Sequence, residues 1–248
     1  MKVYFLGCGG WIPDRDETSC FMIEHKEQLL FLDAGTGISN LKRYPHILDK
    51  YVDLTVILSH YHLDHIIGLT YLLPYIKGKK LRIYGPGIPF YEYTTEEILE
   101  QLFQSFFFSC PLRKLCDRVE CFDYAGKDFC VNDILFSVKE QQHSSPSFRI
   151  TIDKKLIYAT DTQFDPMEWK DDYQGMTLLH ECWETSSNAE SEHTSVGNLL
   201  QGLPPYLLKS TYFIHKNPEW ENRDYGNLQS LIRPMGGCIA QDGMVLEL

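Results

Sequence analysis

The stretch SHYHLDHIIG, residues 59–68, places three histidines and an aspartate within six positions, directly after the apolar run LTVIL. An apolar run of that kind reads as a buried strand, and chain leaving its end through a tight turn can aim successive side chains at one point. His60 and His62, at i and i+2, can present two imidazoles to one cation. Asp64 and His65 follow at once and, at the entry to a helix, can face a second cation beside it. Imidazole and carboxylate at this spacing point to metal binding rather than to a solvated polar turn.

Working outward, strand-like runs rich in Val, Ile, Phe and Tyr recur: VYFLG, SCFMIEH, QLLFLDAG, LRIYGPG, ILFSVKEQQ, FRITID and KLIYATD. Helical patterns are interleaved at 65–76, 94–107, 194–203 and 226–234, so the chain reads as mixed α/β. In the second of these, Thr94 or Thr95 is placed to cap and Glu97 sits where the helix dipole favours negative charge. Its Ile98, Leu102, Phe106 and Phe107 fall near helical spacing and are expected to pack into the core, the alternative being an aromatic lid over a pocket. Thr194 is expected to cap the third helix, His180 to be structural, and His25 and His46 to be exposed. With no clear repeat, low-complexity segment or linker, residues 1–248 are expected to form a single domain.

Composition excludes several classes. The 248 residues are 44% hydrophobic, enough to bury a substantial core, yet no apolar stretch approaches the roughly 20 residues a membrane span needs. The opening MKVYFLGCGGWIP reads as a strand and turn without a cleavage pattern, so no export signal is expected. Eight cysteines with no CxxC pair fit free thiols in a reducing, cytoplasmic setting. A formal net charge of −11 and no basic block argue against broad contact with a phosphate backbone, hence against large nucleic acids as partners.

H-x-H-x-D-H after an apolar strand resembles the metallo-β-lactamase superfamily, and further landmarks follow in that family's order across nearly the whole chain. FLDAGTGISNL (31–41) is similar to its aspartate-bearing strand and turn, with Asp33 supporting a ligand histidine. QQHSSPSFRI supplies His143, IYATDT supplies Asp161 and YFIHKNP supplies His215. The resemblance implies an α/β fold, an αββα four-layer sandwich with metals at one edge. It puts His60, His62 and His143 on one metal, Asp64, His65 and His215 on the other, and Asp161 between them. Zinc suits this donor set, and manganese or iron(II) fits similar ligands. Diiron oxygen-reducing relatives typically carry glutamate where this chain has His62, so the pattern is that of a hydrolase, in which two divalent ions hold a bridging hydroxide that Asp64 can steer.

Two further segments bear on substrate. LLHECWE (178–184) and SEHTSVGN (191–198) resemble the HEAT and HST motifs of the RNase Z branch and its small phosphodiesterase relatives. Cys182 and Trp183 stand where Ala-Thr is usual, and Thr194-Ser195 reverses Ser-Thr, while Glu181 and His193 match. His193, oriented and kept cationic by Glu181, can protonate a departing alkoxide or bind a phosphate oxygen. The tRNA-processing members carry a long arm between the equivalents of His143 and Asp161. Here only SSPSFRITIDKKLIYAT intervenes, leaving no room for one. The expected function is therefore hydrolysis of small phosphodiesters, above all cyclic nucleotides, with His193 as general acid. The alternatives are an RNase Z-like ribonuclease and a metal-containing binding protein without turnover. The aromatic segment SFFFSCPLRKL (105–115) and the pairing of small relatives point to a homodimer.

Overall fold

The computed structural model describes residues 1–170, 172–188 and 191–248. The first half runs β1 (Lys2–Gly7), β2 (Cys20–His25), β3 (Gln28–Leu32), α1 (Pro45–Leu48), β4 (Asp53–Ile57), α2 (Leu63–Ile66), β5 (Lys80–Gly85), α3 (Thr95–Leu102) and β6 (Arg118–Asp123). The second runs β7 (Phe129–Val131), β8 (Ile134–Gln141), β9 (Ser147–Ile152), β10 (Leu156–Ala159), β11 (Thr177–Cys182), α4 (Val196–Gly202), α5 (Pro205–Leu208), β12 (Thr211–Lys216), α6 (Asn222–Ile232), β13 (Cys238–Ile239) and β14 (Val245–Glu247).

These strands form two seven-stranded sheets, ordered β14-β1-β2-β3-β4-β5-β6 and β13-β12-β11-β10-β9-β8-β7. Each is antiparallel as far as its middle strand and parallel beyond it: β3 to β6 in the first, β10 to β13 in the second. Side-chain alternation explains the layering. Leu29 and Phe31 of β3 face an outer core beneath the first half's helices, whereas Leu30 and Leu32 face Phe136, Ile150 and Tyr158 of the other sheet. A third cluster, including Ile157, Leu178, Leu199 and Leu228, buries the far face of the second sheet under α4 to α6. With both faces of each sheet covered, the result is the expected αββα sandwich.

Several local expectations are corrected. Residues 65–76 do not form one helix: α2 stops at Ile66 and a 3₁₀ turn covers Ile67–Tyr71. The backbone there is tied to the turn after β3, with Ala34 N donating to His65 O and Gly68 N to Ala34 O. A Cβ on Gly68 would lie 1.9 Å from Gly35 O, so this close approach requires glycine. Thr94 caps α3 and shares a capping box with Glu97, but the helix ends at Leu102. Leu99 and Phe103 are the residues buried there, while Phe106 and Phe107 are 74% and 73% exposed. Leu102 packs partly buried against the core as expected, and with Ile98, Phe107, Leu63 and Ile66 it also lines an open apolar groove of about 530 Å³. Ser195, not Thr194, caps α4, because Thr194 Oγ1 donates to Thr162 O. His25 is buried rather than exposed. The hairpin turns at Lys26-Glu27 and Asp153-Lys154, all at positive φ, meet across the sheets, where His25 Nε2 lies 2.8 Å from Asp153 Oδ2. His46 is exposed, and His180 is buried beside Trp169.

Candidate metal centre and active site

The parallel strands β4, β10, β11 and β12 all end at one edge of the sandwich, the usual place for ligands in parallel sheets. From the end of β4 come His60, His62, Asp64 and His65; from β10, Asp161; from β11, Glu181; from β12, His215. His143 leaves the end of β8, and His193 precedes α4. Asp161 and His215 adopt φ of 50° and 47°, left-handed backbone that a side chain other than glycine takes only at a cost, and the turn swings both out of their strands toward the centre.

The candidate ligands converge as two groups joined by one carboxylate. His60, His62, His143 and Asp161 bring ligand atoms within 4.8 Å of one another, as do Asp64, His65 and His215. Asp161 Oδ1 faces the first group, 3.9 Å from His60 Nε2 and 3.8 Å from His143 Nε2. Its Oδ2 faces the second, 3.1 Å from His65 Nε2 and 3.3 Å from His215 Nε2. Asp64 Oδ2 lies 3.2 Å from His215 Nε2 and accepts a hydrogen bond from Trp11 N at 2.8 Å.

One buried carboxylate sets the imidazole tautomers. Asp33, fully buried, accepts from Ser59 N and Ser59 Oγ at 2.7 Å, from Tyr158 OH at 2.6 Å and from His65 Nδ1 at 2.7 Å. The Ser59 hydroxyl proton is thereby used, so His60 Nδ1 donates to Ser59 Oγ at 3.0 Å. Both Nε2 atoms are left facing the centre, as metal-binding histidines require. Burial works against a charge on His65, yet Asp64, Asp161 and Asp33 raise its pKa well above the ordinary value, so a bound cation would take the place of its Nε2 proton. His60 Nε2 and His143 Nε2 are buried without a hydrogen-bond partner. Orphaned acceptors of that kind are costly unless something fills the space between them, and the donor set of imidazoles and carboxylates fits divalent transition ions.

Electrostatics agree. Burial pushes the His60 imidazole well below its ordinary value, helped by His65, so it stays a neutral donor. Burial works against ionisation of Asp64, yet His65 and His215 hold its carboxyl below the usual range; His215, His65 and His60 do the same for Asp161. Glu181, fully buried, accepts from Thr162 N and, through Oε2, from His193 Nδ1 at 2.8 Å. Burial alone would lower the His193 pKa, but the Glu181 carboxylate outweighs it and raises it to about 9. His193 therefore stands as a cation beside the metal-type cluster, grouped with Asp161 and His215.

All nine site residues singled out from the sequence thus meet at one edge. Ser59 and Tyr158 escaped sequence reading, since neither carries a signal until β4 and β10 are packed together. Gly10 also escaped it. A Cβ there would lie 2.5–2.7 Å from the His215 ring, and the Gly9-Gly10 pair was the available clue.

Over the whole chain the fold is similar to a diphosphatase from the PhnP family, at TM-score 0.73 and 17% identity, covering 97% of that chain. It is similar to YhfI from Bacillus subtilis at TM-score 0.73 and 19% identity, covering 99%. Human tRNase Z, short form, follows at TM-score 0.64 and 17% identity over all of this chain and 99% of that one. In sequence, ribonuclease Z of Thermococcus kodakarensis is 29% identical over 44% of this chain and 34% of its own length. That of Methanococcus aeolicus is 31% identical over 46% and 36%. The chain spans about a third of the length of these curated relatives. These likenesses show a metallo-β-lactamase fold, which carries the clustered histidines and aspartates at one edge. Residues 1–232 match the model described as anti-Pycsar protein Apyc1, and the chain belongs to that family.

Proposed function

We propose that this chain is a metal-dependent phosphodiesterase that hydrolyses small phosphodiesters, above all cyclic nucleotides. The observation that carries this reading is the placing of a Glu181-supported His193 beside a seven-residue cluster suited to two cations. His60, His62 and His143 would hold one ion, Asp64, His65 and His215 the other, with Asp161 shared, and zinc is the ion proposed. Two such ions, when bound, supply an activated water and neutralise charge on the phosphoryl oxygens. The chain's own part is to fix those donors through Asp33 and to deliver a proton. His193, protonated through Nε2 while Glu181 holds Nδ1, donates to the leaving ribose oxygen, a step worth about 10²–10⁴-fold.

Small substrates are favoured by β9 and β10, which occupy the interval between His143 and Asp161 where a tRNA-binding arm would emerge, and by the net charge of −11. The exposed Phe106 and Phe107 beside the apolar groove favour a homodimer, and the free thiols a cytoplasmic setting. No helix among the described residues is long and apolar enough to cross a membrane. An RNase Z-like ribonuclease remains the second reading, because the matched curated relatives are ribonucleases Z. The site without turnover, a metal-containing binding protein, is the third.

Zinc-loaded protein assayed against cyclic mono- and dinucleotides, a nitrophenyl phosphodiester and a tRNA precursor separates the three. Cleavage of a cyclic nucleotide is expected, with His193→Ala keeping its metals and losing far more rate on that substrate than on the nitrophenyl ester. Efficient tRNA trimming with no cyclic nucleotide turnover would establish the ribonuclease, and inactivity on all would leave the binding protein.

A further inference from the structure

Trp183 departs from the motif around Glu181, where threonine is usual, and its surroundings give that departure a use. The residue follows β11, and its N–H donates to Thr194 O at 2.9 Å, tying it to the segment that carries His193. Its own carbonyl accepts from Trp220 Nε1 at 2.9 Å. Held by its backbone on both sides, the indole lies against His193, with ring centroids 4.8 Å apart and planes at 24°. The His215 ring lies 5.8 Å from His193 at 21° and 5.5 Å from Trp183 at 34°. His193 is therefore stacked with both neighbours, which are tilted to each other, beside the candidate metal centre.

The hydrogen bond that His193 Nδ1 donates to Glu181 fixes one atom of the ring and leaves its plane free to tilt about that bond. His193 is also partly exposed, with 20% of its side chain open to solvent. A flat partner on one face removes the tilt and keeps water from that face, and offset aromatic pairs favour this geometry. Cys182, the other departure, is buried in the third cluster under α4 to α6 with Sγ toward Ile214 O, and so serves packing.

We propose that Trp183 is a positioning residue for His193, its indole holding the imidazole plane so that Nε2 points at the leaving group. This rests on the phosphodiesterase reading above. The test combines Trp183→Ala and Trp183→Phe, each zinc-loaded. The alanine variant should lose about tenfold in kcat on a cyclic nucleotide. It should keep KM, zinc content and the rate on a nitrophenyl phosphodiester, while the phenylalanine variant recovers most of the loss. Independently of turnover, the His193 ring protons should resonate upfield in the wild type from the indole ring current. They should move downfield in the alanine variant while those of the distant His25 stay put. Unmoved His193 resonances, or equal losses on both substrates without rescue by phenylalanine, overturn the proposal. Wild-type protein inactive on both substrates defeats the phosphodiesterase reading and the positioning role with it, while the resonance shift still reports whether the stack exists.

Discussion

The two halves of the molecule share one plan and use it differently. In each sheet the strand where antiparallel pairing gives way to parallel, β3 or β10, is followed within two residues by an aspartate at positive φ, Asp33 at 54° and Asp161 at 50°. Asp33 turns inward and spends its oxygens on Ser59, Tyr158 and His65. Asp161 points into the centre with one oxygen toward each group of candidate ligands. In the second half the inward role passes to Glu181 on the next strand, which backs His193. The same backbone position thus yields a support in one sheet and a shared donor in the other, and what decides is which neighbours the adjacent strands bring.

Exchanging each carboxylate for its amide should separate these roles. Asp161→Asn should lower activity on any phosphodiester by about a thousandfold, or ~4 kcal/mol, and reduce bound metal to one ion or none. The metal-free protein should lose some stability at neutral pH as well, because, against burial, His215, His65 and His60 hold the Asp161 carboxylate ionised in the fold. Asp33→Asn should act chiefly on stability, since both Asp33 oxygens accept from buried donors and an NH₂ in place of either would face a donor. A loss of roughly 3–5 kcal/mol is expected in denaturant unfolding of the metal-free protein. If the two variants behave alike in both assays, the distinction between support and shared donor fails.

The same asymmetry governed what the sequence disclosed. The first half presents His60, His62, Asp64 and His65 on one continuous turn, so spacing alone pointed to a metal site. The second half offers one group per strand end, Asp161, Glu181 and His215, and each became meaningful only through its order relative to that turn. Mixed α/β was legible because central strands such as β3, β4 and β10 are buried on nearly every residue and read as apolar runs. The sandwich followed from the family resemblance, since edge strands such as β6 and β14 are largely open and carry no such signal. The helix expected over 65–76 failed because its periodicity was genuine but Ala34 and Gly68 pull the backbone onto the turn after β3, a long-range bond that no window of sequence contains. His25 looked polar and free for a similar reason, as Asp153 stands 128 residues away.

A smaller effect should sharpen the comparison on the second half's side. Gly10 N donates to Lys216 O at 3.1 Å and Trp11 N to Asp64, so the loop is fastened directly over His215. Gly10→Ala would push a methyl into the His215 ring, and the loop cannot retreat without releasing Asp64. Metal affinity at the group of Asp64, His65 and His215 should fall by about 10–100-fold, read by competition with a chelator. The group containing His60, His62 and His143 should keep its ion. Simultaneous loss of both ions would mean that Asp161 couples the groups more tightly than its two separate oxygens imply.

The mildest expected effect concerns Glu181, the second half's counterpart of Asp33. With His193 raised to about 9 in the fold and near its ordinary 6.5 when unfolded, the folded protein holds that proton more tightly. The stabilisation is complete below about pH 6.5 and is lost as pH rises through about 9. NMR titration of metal-free protein should find the His193 imidazole still protonated at pH 8. Glu181→Gln removes the charge that raises it, and the amide can accept from His193 Nδ1 only by turning its NH₂ toward Thr162 N, where two donors would face each other. The titration should move back toward 6.5, the melting temperature at pH 7 should drop by about 2–4 °C, and between pH 7 and 9 that deficit should shrink as the wild type loses its own advantage. A deficit independent of pH would show that Glu181 acts by hydrogen-bond geometry alone, as Asp33 does, and not by holding a proton on His193.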